Sequence, residues 1–309
     1  MIDKPLVDPA FLAAMRGRYA PAERNWLDMD KRYIVESLFH GKQPVAHGEP
    51  KIYLATAGGP GAGKTTILEQ YLAAAKEASY RSMVVSDPDQ PILRMMGNLN
   101  VRHMQSLARV ADAGSTGAAN KAAYDFCRDG SNYIAYAVLN KAVAGGYNIA
   151  HGTTSTGDKV PDNVSLLKAQ GYQVHYLLVA APDKVRTQNV QHRVTAQANY
   201  QSTPEDVKDK GGRFWEMLPF YFKQADKVDL YFSAKPLQQN HVATVVGNAV
   251  TVHDAKGLSG FVREYEKVRE ASAANGKPLP ALAEVSPALA QAAVPVRRSL
   301  KRKPPQATL

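Results

Sequence analysis

The segment Gly58-Gly59-Pro60-Gly61-Ala62-Gly63-Lys64-Thr65 constrains this chain more than any other stretch of it. It fits the pattern G-x-x-x-x-G-K-[ST], which carries meaning only between a strand and a helix. Both flanks qualify: Lys51–Ala57 reads as a buried strand, and Thr65-Thr66-Ile67-Leu68-Glu69-Gln70-Tyr71-Leu72 opens a helix. Glycines let successive backbone N–H groups turn inward as an anion cradle that a Cβ would obstruct. The helix N-terminus adds partial positive charge beneath it. In that setting Lys64 reaches the β- and γ-phosphates of a nucleoside triphosphate, and the Thr65 hydroxyl holds Mg²⁺.

The rest of the chain repeats the alternation that this unit begins. Strands are expected at Lys51–Ala57, Ser82–Ser86, Tyr147–His151, Gln173–Ala180 and Val228–Phe232. Helices are expected at Lys64–Ala78, Val101–Ala113, Asn120–Ala144, Val160–Gln170 and Pro182–Ala198. Strands alternating with helices predict an α/β fold, a parallel sheet covered by helices on both faces. Ligands of such sheets sit at the carboxyl ends of the strands, where Gly58, Ser86–Asp89 and His151–Thr153 would gather. Thr203-Pro204-Glu205-Asp206 starts a further helix, with Thr as cap and Pro at the first position. Val242–Val246 and Ala249–His253 flank Gly247-Asn248 as a hairpin, and Gly260–Ala274 reads as a helix. Residues 1–48 have helical apolar spacing at Trp26, Leu27, Tyr33, Ile34, Leu38 and Phe39, which predicts a helical N-terminal extension capping a domain of residues 49–274. Residues 275–309, with six prolines and no periodicity, read as a disordered tail.

Composition narrows the function classes. The chain has 309 residues and 45% apolar content, enough for a substantial core, and no apolar run long enough to cross a bilayer. The first eight residues lack the apolar stretch of a signal peptide, and Cys127 is the one cysteine. No internal disulfide is available, and a reducing, cytoplasmic setting is expected. Half of the net charge of +10 falls in residues 275–309, where Lys277, Arg297, Arg298, Lys301, Arg302 and Lys303 face the single acid Glu284. No aromatic-interleaved basic motif accompanies it, so nucleic acid is not the expected partner. The run Arg297–Pro304 reads as a solvated tail or as an address sequence.

Phosphoryl transfer needs a cradle, Mg²⁺, a base beside the acceptor hydroxyl and cations around the transferred group. Asp87 and Asp89 follow the second strand, where a carboxylate faces the γ-phosphate and can take a hydroxyl proton or hold Mg²⁺ through water. Arg186 and Arg193 lie on the helix after the fourth strand and are candidates to neutralise transition-state charge. His151-Gly152-Thr153-Thr154 ends the third strand: Gly152 permits close approach, and the hydroxyls can hold a substrate. No second His or Cys stands at zinc-ligand spacing from His151.

Taken together, these pieces resemble the zeta-toxin family of bacterial kinases. Ala57–Thr66 resembles its nucleotide loop. Gly146–Thr153, with Val160-Pro161 and Lys168–Tyr172, resembles its substrate-strand segment. Ala181-Pro182 followed by Arg193 resembles its lid. The resemblance implies a P-loop kinase fold in which Gly58, Gly59, Pro60, Gly61, Ala62, Gly63, Lys64, Thr65 and Thr66 bind ATP–Mg²⁺. It also implies that Asp89 is the general base, that Arg193 stabilises the transition state and that Thr153 touches the substrate; Asp87, His151 and Arg186 are further candidates to meet it. Family members phosphorylate a sugar hydroxyl of UDP-N-acetylglucosamine and act as toxins held by an antitoxin; a related branch of secreted effectors phosphorylates NAD. This chain departs from the pattern at His151, where an acid is usual, and at Gln201, where a second arginine is usual. A carboxylate usual near Asn132 is replaced by Ala135 or Tyr136. A nucleotide-binding module without transfer activity is the alternative that those departures suggest.

Overall fold

The computed structural model describes residues 4–108, 116–197, 202 and 204–293. One seven-stranded sheet organises them, in the order β2-β3-β1-β4-β5-β6-β7. The strands are β1 (Lys51–Ala57), β2 (Val84–Ser86), β3 (Ile149–His151), β4 (Tyr172–Ala180), β5 (Lys227–Lys235), β6 (Gln238–Val246) and β7 (Ala249–Val252). From β2 to β5 every pairing is parallel, and β6 and β7 add antiparallel. The sheet is therefore mixed rather than wholly parallel. The continuous apolar runs of β1 and β4 mark strands covered on both faces, and both are buried along nearly their whole length.

The helices are α1 (Pro9–Gly17), α2 (Pro21–Phe39), α3 (Lys64–Ala74), α4 (Ala78–Arg81), α5 (Gln90–Met95), α6 (Leu99–Ala108) and α7 (Thr116–Ala144). They continue with α8 (Val160–Ala169), α9 (Asp183–Gln197), α10 (Pro204–Glu216), α11 (Leu218–Gln224), α12 (Ala255–Ala274), α13 (Leu282–Val285) and α14 (Pro287–Ala293). On one face, α3 lays Ile67 and Leu68 against Leu54, Leu177 and Val179. On the other, Ile134, Val138 and Leu139 of α7 meet Tyr53, Val174 and Tyr176. Helices α1 and α2 pack on α7, and Leu27 and Ile34, fully buried, belong to the same core as the sheet.

Three expectations change. The helix after the loop ends at Ala74 instead of running to Ala78, and a separate turn, α4, follows. The segment before β6 forms a β5–β6 hairpin through Leu237 at φ 58°. Gln238-Gln239-Asn240-His241 lacks the apolar alternation that would have announced a strand. The expected disordered tail does not begin at residue 275: α13 and α14 fold back over α11, α12 and β7, because Leu282 and Leu289 bury 4% and 0% exposed against that surface. Residues 294–309, which carry most of the basic cluster, lie outside the described residues, as do Gln201 and Thr203.

Candidate active site

The loop between β1 and α3 owes its shape to its glycines. Gly61 and Gly63 adopt φ 76° and 100°, a region that side chains disfavour. A Cβ at Gly58 would strike the Val179 carbonyl, and one at Gly59 the Arg186 guanidinium. Ala62 is buried and its N–H donates to the Gly59 carbonyl at 3.2 Å. Helix α3 starts at Lys64, so the orphan amides of its first turn open toward the loop. Thr66, in the same turn, is exposed.

Buried polar groups brace the loop from behind. Asn189 of α9 donates to the Gly61 carbonyl at 2.8 Å and accepts from the Leu237 N–H at 3.0 Å. Arg186, 3% exposed, donates to the Pro60 and Val207 carbonyls at 3.4 and 3.0 Å and pairs with Asp183. Arg186 thus ties the loop to α9 and α10 from behind, and it is not among the residues that line the cleft.

In front of the loop, Lys64, Thr65, Asp89, Arg193, Thr154, Ser202 and Arg128 line one cleft. Lys64 donates to the Gly59 carbonyl at 3.2 Å. Burial pushes its ammonium down to about 8, against the pull of Asp89. Burial likewise lowers Arg193, against Asp89 and Asp87. Two cations held at a desolvation cost favour an anion that would neutralise them.

Asp87 stands apart from Asp89. It is 2% exposed, accepts from the Thr65 hydroxyl at 3.3 Å and accepts from the Asp89 N–H at 2.9 Å. Burial, and then the neighbouring charge of Asp89, push its carboxyl up to about 6. Gly152 leaves the space it occupies, since a Cβ there would overlap the carboxylate. Asp87 therefore faces the Thr65 hydroxyl, and Asp89 faces the cleft.

The other expected substrate residues are partly engaged. His151 shares a hydrogen bond of 2.7 Å with the Tyr53 hydroxyl, and burial lowers it to about 4, so the ring is neutral near pH 7. The Thr153 hydroxyl accepts from the Ser155 N–H at 3.1 Å, which turns it into its own loop, and Thr154 lines the cleft in its place. Near the expected carboxylate position, Ala135 is buried in the core and Tyr136 packs at its edge. Sequence reasoning did not find Asn189 or Arg128. Asn189 braces the loop from a position of the lid helix that the Ala181-Pro182 to Arg193 pattern does not mark, and Arg128 sits mid-helix without a pattern around it.

The zeta toxin family model matches residues 36–214, more than half of the chain. The chain belongs to the zeta toxin family. Among solved structures, the AvrRxo1-ORF1:-ORF2 complex with ATP aligns over 93% of this chain and 95% of that one, at 15% identity and a TM-score of 0.52. The native form of that complex gives 93%, 94%, 15% and 0.52. A structure of the PezAT chromosomal toxin–antitoxin system of Streptococcus pneumoniae aligns over 69% of this chain and 78% of that one, at 17% identity and a TM-score of 0.48. At these identities the likeness concerns the fold alone. A search of curated proteins gives no match. For this zeta toxin family chain, no helix among the described residues is long and apolar enough to cross a membrane.

Proposed function

We propose that this chain is a Mg²⁺–ATP-dependent phosphotransferase that phosphorylates a sugar hydroxyl of a nucleotide-linked metabolite, of the UDP-N-acetylglucosamine class, and acts as a toxin restrained by an antitoxin protein. The observation that carries this reading is the convergence of Lys64, Thr65, Asp89 and Arg193 on one cleft in front of the phosphate loop. The donor set fits the ligands. Glycine-shaped backbone and the α3 N-terminus suit a polyphosphate, and the Thr65 hydroxyl beside the Asp87 carboxylate suits a magnesium ion and its water. Bound there, the ion would screen the phosphate charges.

Each residue then has a distinct task. Lys64 holds the β- and γ-phosphates. Asp87 orients Thr65. Asp89 takes the proton of the acceptor hydroxyl as its oxygen bonds to phosphorus and the bond to the leaving diphosphate breaks. Arg193 meets the charge spread over the transferred group. The family match and the solved relative with ATP support the donor half of this reading; that relative, solved as an ORF1:-ORF2 complex, is the precedent for a protein partner.

The neutral His151, bonded to Tyr53 where an acid is usual, favours a second reading in which the acceptor is a dinucleotide such as NAD. A transfer assay with γ-labelled ATP and Mg²⁺ on UDP-N-acetylglucosamine and on NAD separates the two. Asp89→Asn is expected to cut transfer by about 10²–10⁴-fold with ATP binding retained. ATP binding without transfer to any acceptor in the native chain would leave a nucleotide-binding module instead of an enzyme.

A further inference from the structure

Arg128 enters the cleft of Lys64, Asp89 and Arg193 from α7 and is exposed. The acids nearest to it in sequence are both engaged elsewhere. Asp125 binds the Lys121 ammonium at 2.5 Å through both oxygens, and Asp129 accepts from Arg18 at 2.5 Å. Among the described residues Arg128 has no carboxylate partner, and the Tyr124 ring lies 5.8 Å from its guanidinium. A cation aimed at a polyphosphate cleft with its neighbouring acids occupied is available to a ligand.

The turn that carries Arg128 is held from the N-terminal segment. In a regular helix the Gly130 N–H would donate to the Phe126 carbonyl. Here the Tyr19 hydroxyl stands between them, accepting from the Gly130 N–H at 2.7 Å and donating to the Phe126 carbonyl at 2.7 Å. A side chain inserted in the ladder bends a helix. Gly130 makes room for it, since a Cβ there would lie 3.0 Å from the Tyr19 hydroxyl and from Leu27 Cδ1. The Arg18–Asp129 pair is a second tie on the same turn.

Arg128 also approaches from the side that the nucleotide-binding cations do not use. Helix α7 packs on β2, whereas α9, which bears Arg193, packs on β5. In the sheet order these flank the loop strand β1 from opposite sides.

We propose that Arg128 binds a phosphate or pyrophosphate group carried by the acceptor, and that Tyr19 positions it. The proposal rests on the phosphotransferase reading and gives the phosphate of a nucleotide-linked acceptor a contact of its own, apart from those that hold the ATP phosphates.

The test uses the full chain loaded with Mg²⁺ and a non-hydrolysable ATP analogue, and titrates inorganic pyrophosphate by calorimetry. Arg128→Ala is expected to weaken pyrophosphate about tenfold or more, the loss of one charge-assisted contact. Arg128→Lys should retain part of the affinity. Tyr19→Phe, which keeps the ring and loses the bridging hydroxyl, should weaken it by about threefold. Affinity for the ATP analogue should stay within about twofold in all three. In the transfer assay, Arg128→Ala should raise KM for a phosphate-bearing acceptor with KM for ATP and kcat little changed. Equal pyrophosphate affinity in the native chain and Arg128→Ala, or no binding to the native chain, overturns the proposal. Pyrophosphate binding through Arg128 in a chain that transfers to no acceptor would sink the kinase reading and leave the anion site standing.

Discussion

Two aspartates on this sheet are buried to the same degree, 2% exposed each, and behave in opposite ways. Asp229 on β5 accepts from His175 at 2.9 Å, His241 at 3.0 Å and Thr244 at 2.5 Å, with the Lys227 ammonium at 3.2 Å. Burial raises its carboxyl, but these partners outweigh burial and hold it far below the usual carboxylate range. Asp87, at the end of β2, has a long bond from Thr65, the Asp89 N–H and the like charge of Asp89 beside it, and is pushed up to about 6. Burial alone therefore predicts neither value; the supply of donors does. A satisfied buried carboxylate holds structure together. One left short of donors beside a phosphate loop is poised for a ligand, and in the proposed function a magnesium ion shared with Thr65 would supply the positive charge that Asp87 lacks.

The comparison is broken most forcefully at Asp229. Asp229→Ala strands His175, Lys227 and Thr244 around a void, and is expected to cost about 3–5 kcal/mol in denaturant unfolding. The rate per folded molecule should not change. A loss under about 1 kcal/mol would mean that the cluster contributes no net stability.

Asp87→Asn should act in the opposite direction. The folded value near 6 lies above the ordinary value of 3.8, so the folded state binds the proton more tightly than the unfolded chain. The cost of ionising Asp87 is absent below about pH 4, grows from there to about pH 6 and is full above. The variant should be more stable than the native chain by about 1–3 kcal/mol at pH 7–8 and equal to it near pH 4. Its transfer rate should fall about tenfold or more as Thr65 loses its orienting partner. Melting temperatures of both proteins across pH 4–8 check the sign, and a variant less stable at pH 8 would show that Asp87 is as well served as Asp229.

Gly152→Ala sharpens the same point with a smaller change. The added methyl meets the Asp87 carboxylate, and is expected to cost about 1–2 kcal/mol. Combined with Asp87→Asn, the two effects should be non-additive; a double-mutant cycle in urea measures that coupling.

The contrast also shows which parts of the chain were legible in advance. The loop, its strand and its helix start were readable because glycines, Lys64 and Thr65 perform a local task at fixed spacing, as was the alternation that builds β1 to β5. The segment 238–241 was not legible as strand, because its polar residues serve the Asp229 cluster and the loop. His241 bonds Asp229, and the Gln239 side chain packs over Gly63. The α13–α14 segment reads as disordered in the sequence because two leucines, Leu282 and Leu289, carry its attachment amid prolines and alanines.

The sequence by itself determined the phosphate loop of this protein and the strand and helix that hold it. A phosphate cradle is made by neighbouring residues, so its chemistry is written in consecutive letters. Tertiary structure decided what no local pattern encodes. It separated Asp87, turned toward Thr65, from Asp89, turned toward the cleft. It placed Arg186 behind the loop as a brace and brought Arg128 to the front from a helix 64 positions after Lys64. Through Tyr19, it made the N-terminal helices part of the cleft's support. Those roles depend on which groups meet after the chain has closed, and donors supplied from distant strands and helices are fixed only when the sheet order and the helix packing are in place.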